Sequence, residues 1–442
     1  MCNKVTKNLY FLCSPNLGIL ENWLPVLYKL KLTKANIKLI CIFPKTAIVQ
    51  SVNLNDVLIK ISEDVFDELI FPTNSGTWVS TPTLVNSIDI TKNPDWFKYV
   101  LKFNLKFSDL FIGRFSKSMS RVFFSFYERN IKNISGVESV YELVQDPDAL
   151  LFDINESSKE FNLQLFQRFQ GIKKFTMHHG ISIFEQKDSA VQVKVLDLSN
   201  ITSYVFSQSE YVYCKDKYQI SEGSIKVVGI PRYDKDWIAI IEEQQKNKIS
   251  KRHWENFVFV VSRPISDYLP RERKISSLVM IKGFCDKYDL KIIIKRHPKE
   301  SGDGTFEYVF GSGEYGESWM YSDDHPVHLG KLSEISIVFY SSLVVDLVVA
   351  GVPTIELLNL KGLSKYDTKD ALKVNGEPVF DYRYYGLVFG ASNSIELSKY
   401  FNDFLIQKET GTDRLMKNYN KIFTTDLNSS RKVANDILSK TS

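Results

Sequence analysis

The chain has little of what marks a secreted, membrane-spanning or nucleic-acid-binding protein. Five cysteines (Cys2, Cys13, Cys41, Cys214 and Cys285) are scattered over 442 residues with no CxxC pair. Neither a disulfide framework nor a cysteine-held zinc is expected from that spacing, and runs such as "LICIF" read as buried thiols in a reducing compartment. The longest apolar run, "IVFYSSLVVDLVVAGV", carries Asp346 and is too short to cross a bilayer, and "MCNKVTKNLYFLC" has too short an apolar core for a secretory signal. Basic residues (56) nearly balance acidic ones (52), and the net charge of +4 gathers into no basic stripe, so nucleic acid is not an expected partner. GxxxxGK[ST], HExxH and GxSxG are all absent, which removes the P-loop ATPase, zinc hydrolase and serine esterase readings. A cytoplasmic globular protein is what these absences leave.

What is there begins with size. The chain exceeds what one hydrophobic core usually supports, so two domains are expected. Short apolar runs rich in β-branched and aromatic residues recur along it: "NLYFLC", "IKLICIF", "DLFIG", "ALLFDI", "KKFTMH", "SYVFS", "FVFVVS", "KIIIKRH", "SIVFY" and "VPTIEL". Near-continuous apolar strands alternating with amphipathic stretches predict parallel sheets covered on both faces, an α/β class. The stretch "KDWIAIIEEQQKNKISKRHWEN" turns polar before the next strand. This places residues 1–242 in a first Rossmann-like domain, 243–425 in a second, and 426–442 in a final amphipathic helix that frays. Ligands of open α/β sheets bind outside the carboxyl ends of the strands. The informative motifs are therefore those that follow a strand.

Four do. In "IIIKRHPKE" a strand delivers Lys295, Arg296 and His297 to the cleft mouth, and Pro298 favours an extended His297. Such a cationic group suits a phosphate or a nucleotide's polar edge, and a solvated basic turn is the plain alternative. In "SIVFYSSLVVDLVVAGVPTIEL" Ser341 and Ser342 sit where a strand gives way to an apolar helix. They either cap that helix or join its N–H groups in an anion site. Glu356 ends the following strand, where a carboxylate can accept from ribose hydroxyls. "VVGIPRYDKD" holds Arg232 and Asp234 just beyond another strand, as site residues or as a rigid connector in which the two pair.

The fourth is "FTMHHGISIF". Two of the six histidines, His178 and His179, are adjacent, and strand alternation sends them to opposite faces. Gly180 lets a substrate or the backbone approach, so His179 is the candidate base and His178 its structural or orienting neighbour. "DPD" (Asp146, Asp148) and "DKD" (Asp234, Asp236) match a metal–nucleotide pattern that arises often by chance.

The ordered set "HHG … GIPRYD … KRHP … YSS … AGVPTIEL", over residues 170–360, resembles bacterial surface-glycan transferases of the GT-B kind, with two facing Rossmann-like domains and a cleft between them. It looks most like the CDP-glycerol glycerophosphotransferases, and also like transferases using CMP-Kdo or CMP-sialic acid. The resemblance implies that His179 is the general base and that His297, Ser341 and Ser342 meet the donor's phosphate, with Arg232 and Asp234 in the glycine-proline-arginine-aspartate element. Phe339 replaces the aspartate that commonly precedes the tyrosine of "YSS", Ile181 stands where threonine is usual, and His178–His179 stand where CMP-sugar enzymes carry an acidic pair.

The expectation is thus an enzyme that moves a sugar or polyol phosphate from a cytidine-activated donor to a hydroxyl of an oligosaccharide or lipid-linked glycan. It needs no cofactor and no metal, and works in the cytoplasm with room for peripheral contact to the membrane or to other glycan-assembly enzymes. The donor side comprises Lys295, Arg296, His297, Ser341, Ser342, Glu356 and Arg232; His179, then Asp234 and His178, are the catalytic candidates. A UDP-sugar transferase or epimerase is the rival enzyme, and a non-catalytic partner in glycan assembly the rival of another class.

Overall fold

A computed structural model describes residues 6–14, 17–33, 36–44, 56–72, 78–81, 140, 143–184, 200–246, 254–297, 300, 302–426 and 428–441. The run "DLFIG" lies outside them. Among the described residues, the first sheet holds β1 (Lys7–Leu12), β2 (Ile37–Ile42), β3 (Glu68–Pro72), β4 (Trp78–Thr81), β5 (Ala149–Asp153), β6 (Lys173–Met177), β7 (Ile201–Val205) and β8 (Ile225–Val227). Their spatial order is β4-β3-β2-β1-β5-β6-β7-β8, parallel except for the edge strand β4, which runs antiparallel to β3. The second sheet takes β9 (Phe257–Val261), β10 (Lys291–Lys295), β11 (Trp319–Tyr321), β12 (Ile335–Val338) and β13 (Thr354–Leu357). After a small hairpin of β14 (Leu372–Val374) and β15 (Glu377–Val379), β16 (Phe389–Ala391) completes it. Its order is β11-β10-β9-β12-β13-β16, all parallel. Read from its first strand, each sheet contains the 3-2-1-4-5-6 order of a Rossmann-like unit, with switch points between β1 and β5 and between β9 and β12.

The apolar runs have the predicted cause. Along β1, Leu9 and Phe11 enter one core and Tyr10 and Leu12 another, so both faces of the sheet are covered. The first of these cores continues without a break through Val228, Ile230, Tyr233 and Trp237 into the second domain's Phe257, Val260 and Val344.

Charge also joins the domains. Arg232, almost buried, donates through Nη1 to Glu21 (2.8 Å) and through Nη2 to Asp346 (3.3 Å) and the Tyr233 hydroxyl (3.0 Å). Glu21 lies on the first helix (Leu17–Leu32) and Asp346 on the helix Leu343–Ala350 that follows "YSS". Burial pushes Asp346 up to about 6 against the pull of Arg232. Lys331 and Glu242 form a further ion pair, so residue 242 lies inside a helix (Lys235–Lys246) that reaches the second domain. Nearby, Lys295 donates to the carbonyls of Asp323 (3.2 Å) and Asp324 (2.9 Å) and so fixes the turn before His325. His325 is buried, and its Nδ1 accepts the Val327 N–H (3.3 Å) to cap the helix Pro326–Leu332.

The C-terminal helix (Ser429–Thr441) does not fray. Val433, Ala434 and Ile437 are fully buried, Tyr204 donates to Asp436 (2.8 Å) and Lys440 to Thr202 (2.6 Å), returning the chain to the first domain. Asp234 holds its N-terminus. Its Oδ1 accepts the Ser429 N–H (3.0 Å), and its Oδ2 accepts the Ser430 N–H (2.8 Å) and hydroxyl. The "GIPRYD" residues are thus engaged in fold-holding contacts, and they do not pair with each other: Arg232 binds Glu21 and Asp346.

Two outcomes follow. Asp234→Ala removes the acceptor for two buried N–H groups and should cost about 2 kcal/mol, read as a lowered urea midpoint with early amide exchange in 429–441. Burial among Lys295, Arg232 and His328 pushes the His325 imidazole down to about 3, against about 6.5 in an unfolded chain. The folded state therefore resists a proton that the unfolded state accepts. The resulting stability is complete above pH about 6.5 and lost as pH falls toward 3, about 2 kcal/mol of it by pH 5. Asp346, with its raised pKa, contributes with the opposite sign between about pH 4 and 6. His325→Asn keeps a capping acceptor but removes the titration, so its loss of stability from pH 7 to 5 should be smaller than that of the unsubstituted protein.

Candidate functional site

The first half of the site forms where β5 and β6 end side by side, with Asp153 in register with Met177. Asp153 is fully buried, and its Oδ2 takes the His179 Nδ1 at 2.6 Å. The same carboxylate accepts the Ser14 hydroxyl (3.3 Å) from the end of β1 and the Asn155 backbone N–H (3.0 Å). Asn155 Nδ2 stands 3.3 Å from the His179 Nδ1, oriented by the Tyr218 hydroxyl on its Oδ1 (2.8 Å). A buried carboxylate on Nδ1 favours the tautomer with its proton there, which makes Nε2 the basic nitrogen. The His179 side chain is 30% exposed, enough to be reached.

The first helix clamps this loop. Asn22 donates to the His178 carbonyl (2.8 Å), and a Cβ on Gly18 would lie 2.3 Å from the His179 carbonyl oxygen. Only glycine permits that approach. His178 goes the other way, as strand alternation requires, into a buried pair with Glu210 among the rings of Phe184, Tyr213 and Tyr218. Glu210 in turn accepts the Phe206 N–H (2.6 Å). His178 is therefore part of a buried core network.

The second half lies at the switch point of the other sheet. After β12 the chain turns through Tyr340 at φ 95°, a conformation disfavoured for any residue with a Cβ, before entering the helix Leu343–Ala350. Strain of this kind clusters at functional sites. Ser341 is buried and accepts the Leu343 N–H (3.3 Å), while Ser342 is exposed and makes no capping bond. The pair therefore divides, one hydroxyl spent on the helix and one presented at its N-terminus. Arg263, just beyond β9, stands 6.0 Å from the Tyr340 ring and donates to the Tyr268 hydroxyl (2.8 Å).

The "KRHP" turn is built around Glu300. Its Oε2 accepts the His297 N–H (3.2 Å), its own N–H returns to the His297 carbonyl (2.8 Å), and its Oε1 takes the Ser262 hydroxyl (2.8 Å) and the buried Lys274 ammonium. His297 is half-buried at this turn. Pro298 lies outside the described residues. Lys295 and Arg296 part company: the first holds the 323–324 turn, and burial pushes its pKa down, while the second stacks on Tyr321 at 4.3 Å. Glu356 is not a surface carboxylate. It is buried, its Oε1 3.0 Å from the Arg383 Nε, and its Oε2 has no partner among the described residues, so burial raises its pKa.

The structure thus brings His179 together with Asp153, Ser14 and Asn155, and gathers Tyr340, Ser341, Ser342, Glu356 and Arg263 around the second switch point. The halves meet where the Tyr382 hydroxyl donates to the Ile181 carbonyl (2.8 Å). It does not bring Arg232, Asp234 or His178 into an open position. Sequence reasoning missed Asp153, Asn155, Glu210, Glu300 and Tyr382. The one visible signal was Asp153, an acid closing the apolar run "ALLFD".

Among the described residues, no cluster of acids, histidines and cysteines is arranged to hold a metal ion, and no helix is long and apolar enough to cross a membrane.

The sequence matches no protein-family model and no curated protein. Solved structures do match over nearly the whole chain. S. aureus MnaA in a co-structure with UDP shares 11% identity at a TM-score of 0.54, covering 98% of this chain and 96% of its own. A Methanocaldococcus jannaschii UDP-GlcNAc 2-epimerase in complex with UDP-GlcNAc and UDP shares 11% identity at 0.52, covering 98% and 100%. The Rickettsia bellii UDP-N-acetylglucosamine 2-epimerase shares 13% at 0.51, covering 99% and 97%. At such identities the likeness is one of fold, and the fold is the two-domain GT-B architecture, two Rossmann-like sheets joined across the carboxyl ends of their strands.

Proposed function

We propose that the chain is a GT-B transferase that moves a sugar or polyol phosphate from a CMP- or CDP-activated donor to a hydroxyl of a surface glycan. The observation that carries this reading is the Asp153–His179 pair at the domain junction, 2.6 Å apart, with the carboxylate buried and the imidazole reachable. His179 Nε2 takes the acceptor's proton while Asp153 stabilises the imidazolium that forms. The acceptor oxygen then attacks the donor, and the nucleotide phosphate leaves toward the Ser342 hydroxyl and the helix N-terminus, with His297 assigned to the same phosphate by the motif resemblance. The acceptor glycan, and any peripheral contact with a membrane, belong to the same proposal.

A second reading, a UDP-sugar transferase or epimerase, is favoured by the UDP bound in two of the matching structures, those of S. aureus MnaA and the Methanocaldococcus jannaschii epimerase. Thermal shift against CMP, CDP, UDP and GDP separates the two. A nucleotide at about 100 times its dissociation constant should add about 2.7 kcal/mol. A larger shift with CMP or CDP supports the first reading, a larger shift with UDP the second, and no shift with any of the four points to a non-catalytic module.

The two histidines should also separate. His179→Ala should lose about 10²–10⁴-fold in transfer rate while keeping its nucleotide-induced shift. His178→Ala leaves Glu210 buried without its partner and should cost about 3 kcal/mol of stability, read as a lowered melting temperature. Normal turnover in a folded His179→Ala protein would remove the base assignment.

A further inference from the structure

One short segment touches both halves of the site. The Phe380 ring lies 4.1 Å from that of Tyr340, and Asp381 reaches the Tyr340 hydroxyl. Tyr382, buried on the short helix Asp381–Tyr384, donates to the Ile181 carbonyl of the other domain (2.8 Å). Arg383 pairs with Glu356 and donates to the carbonyls of Glu356 and Leu358 (2.9 Å each). Arg383 seats this closely because β16 carries glycine there: a Cβ on Gly390 would lie 2.4 Å from its Nε. Four consecutive side chains therefore grip Tyr340 and Glu356 on the donor side and the loop after His179 on the other.

We propose that Tyr382 is a positioning residue, whose hydrogen bond to the Ile181 carbonyl couples occupation of the donor half to the placement of the His179 imidazole. The inference rests on the reading of His179 as base and deepens it. Ile181 is two residues from His179, in a loop (181–184) without helix or strand. A ligand pressing on the strained Tyr340 turn moves Phe380 and Asp381, and a single turn of helix carries that shift to Tyr382. Coupling of this kind needs an element whose position both sites bias, and the 380–383 segment supplies it.

The test compares the full chain with Tyr382→Phe, which keeps the buried ring and loses the hydroxyl. Without ligand, amide exchange in 180–184 should quicken about fivefold in the variant. With saturating CDP, or whichever nucleotide the thermal-shift series identifies, the loop should become more protected in the unsubstituted protein and not in Tyr382→Phe, although both bind within about twofold. Asp381→Asn should keep the ligand-free protection and lose the nucleotide-dependent gain. In turnover, Tyr382→Phe should lower kcat about fivefold at unchanged donor KM, a split that a merely structural loss does not produce. Absence of CDP binding counts against the cytidine reading alone, since the ligand-free comparison is independent of it. Unchanged ligand-free exchange in Tyr382→Phe, or an equal nucleotide-dependent gain in both proteins, overturns the proposal.

Discussion

A guanidinium that is almost out of reach of water must be neutralised where it stands, and Arg232 is neutralised by two carboxylates that belong to different domains. Glu21 comes from the first helix and Asp346 from the helix that begins at the serines. Neither domain alone would supply both charges, and a buried cation that loses one partner is costly. Besides the shared core, the relative placement of the sheets is thereby tied through this side chain, and the first helix, which clamps the histidine loop, is tied to the serine-led helix. The C-terminal helix closes the arrangement by returning to the first domain under Asp234. Two residues of "GIPRYD" thus hold together the parts that the candidate site is built from.

Within that frame the adjacent histidines divide labour by geometry alone. A strand end sends successive side chains to opposite faces, so one imidazole enters the core beside Glu210 and the other reaches the junction beside Asp153. Both have a carboxylate on Nδ1. Exposure separates them: His178 is sealed among aromatic rings, whereas His179 keeps an accessible face. The same division recurs at the serines, where Ser341 caps and Ser342 is presented.

The strands that were legible in the sequence were those buried on both faces, such as "IKLICI" and "FVFVV", because continuous apolarity over five or six residues needs no partner to be recognised. The three-residue strands β11 and β16 escaped, since three residues carry no period and their pairing is supplied by the neighbouring strand. The position of each motif after a strand was readable for the same reason. Partnership was not. Asp234 meets Ser429 and Ser430 nearly two hundred residues on, Arg232 meets Asp346 across 114, and Glu356 meets Arg383 across a hairpin. Such contacts engage site candidates in holding the fold and leave no local trace. Asp153 shows the converse, an acid whose role appears only when β6 is laid beside β5.

The identity of the nucleotide base is a separate matter from all of this. In the proposed reading the serine-led helix, its dipole and the turn held by Glu300 address phosphate, and a phosphate is the same group in CDP and UDP. The ribose is also common to both. Cytosine offers an exocyclic amine where uracil offers a carbonyl oxygen, so discrimination needs an acceptor in one case and a donor in the other. That choice is made by one or two groups at the base edge, with no consequence for strand order, domain contact or the histidine–aspartate pair. Two enzymes can therefore share every feature that positions this site and still select different donors, which is why likeness in fold to UDP-binding proteins and likeness in motif to cytidine-using ones coexist in one chain without contradiction.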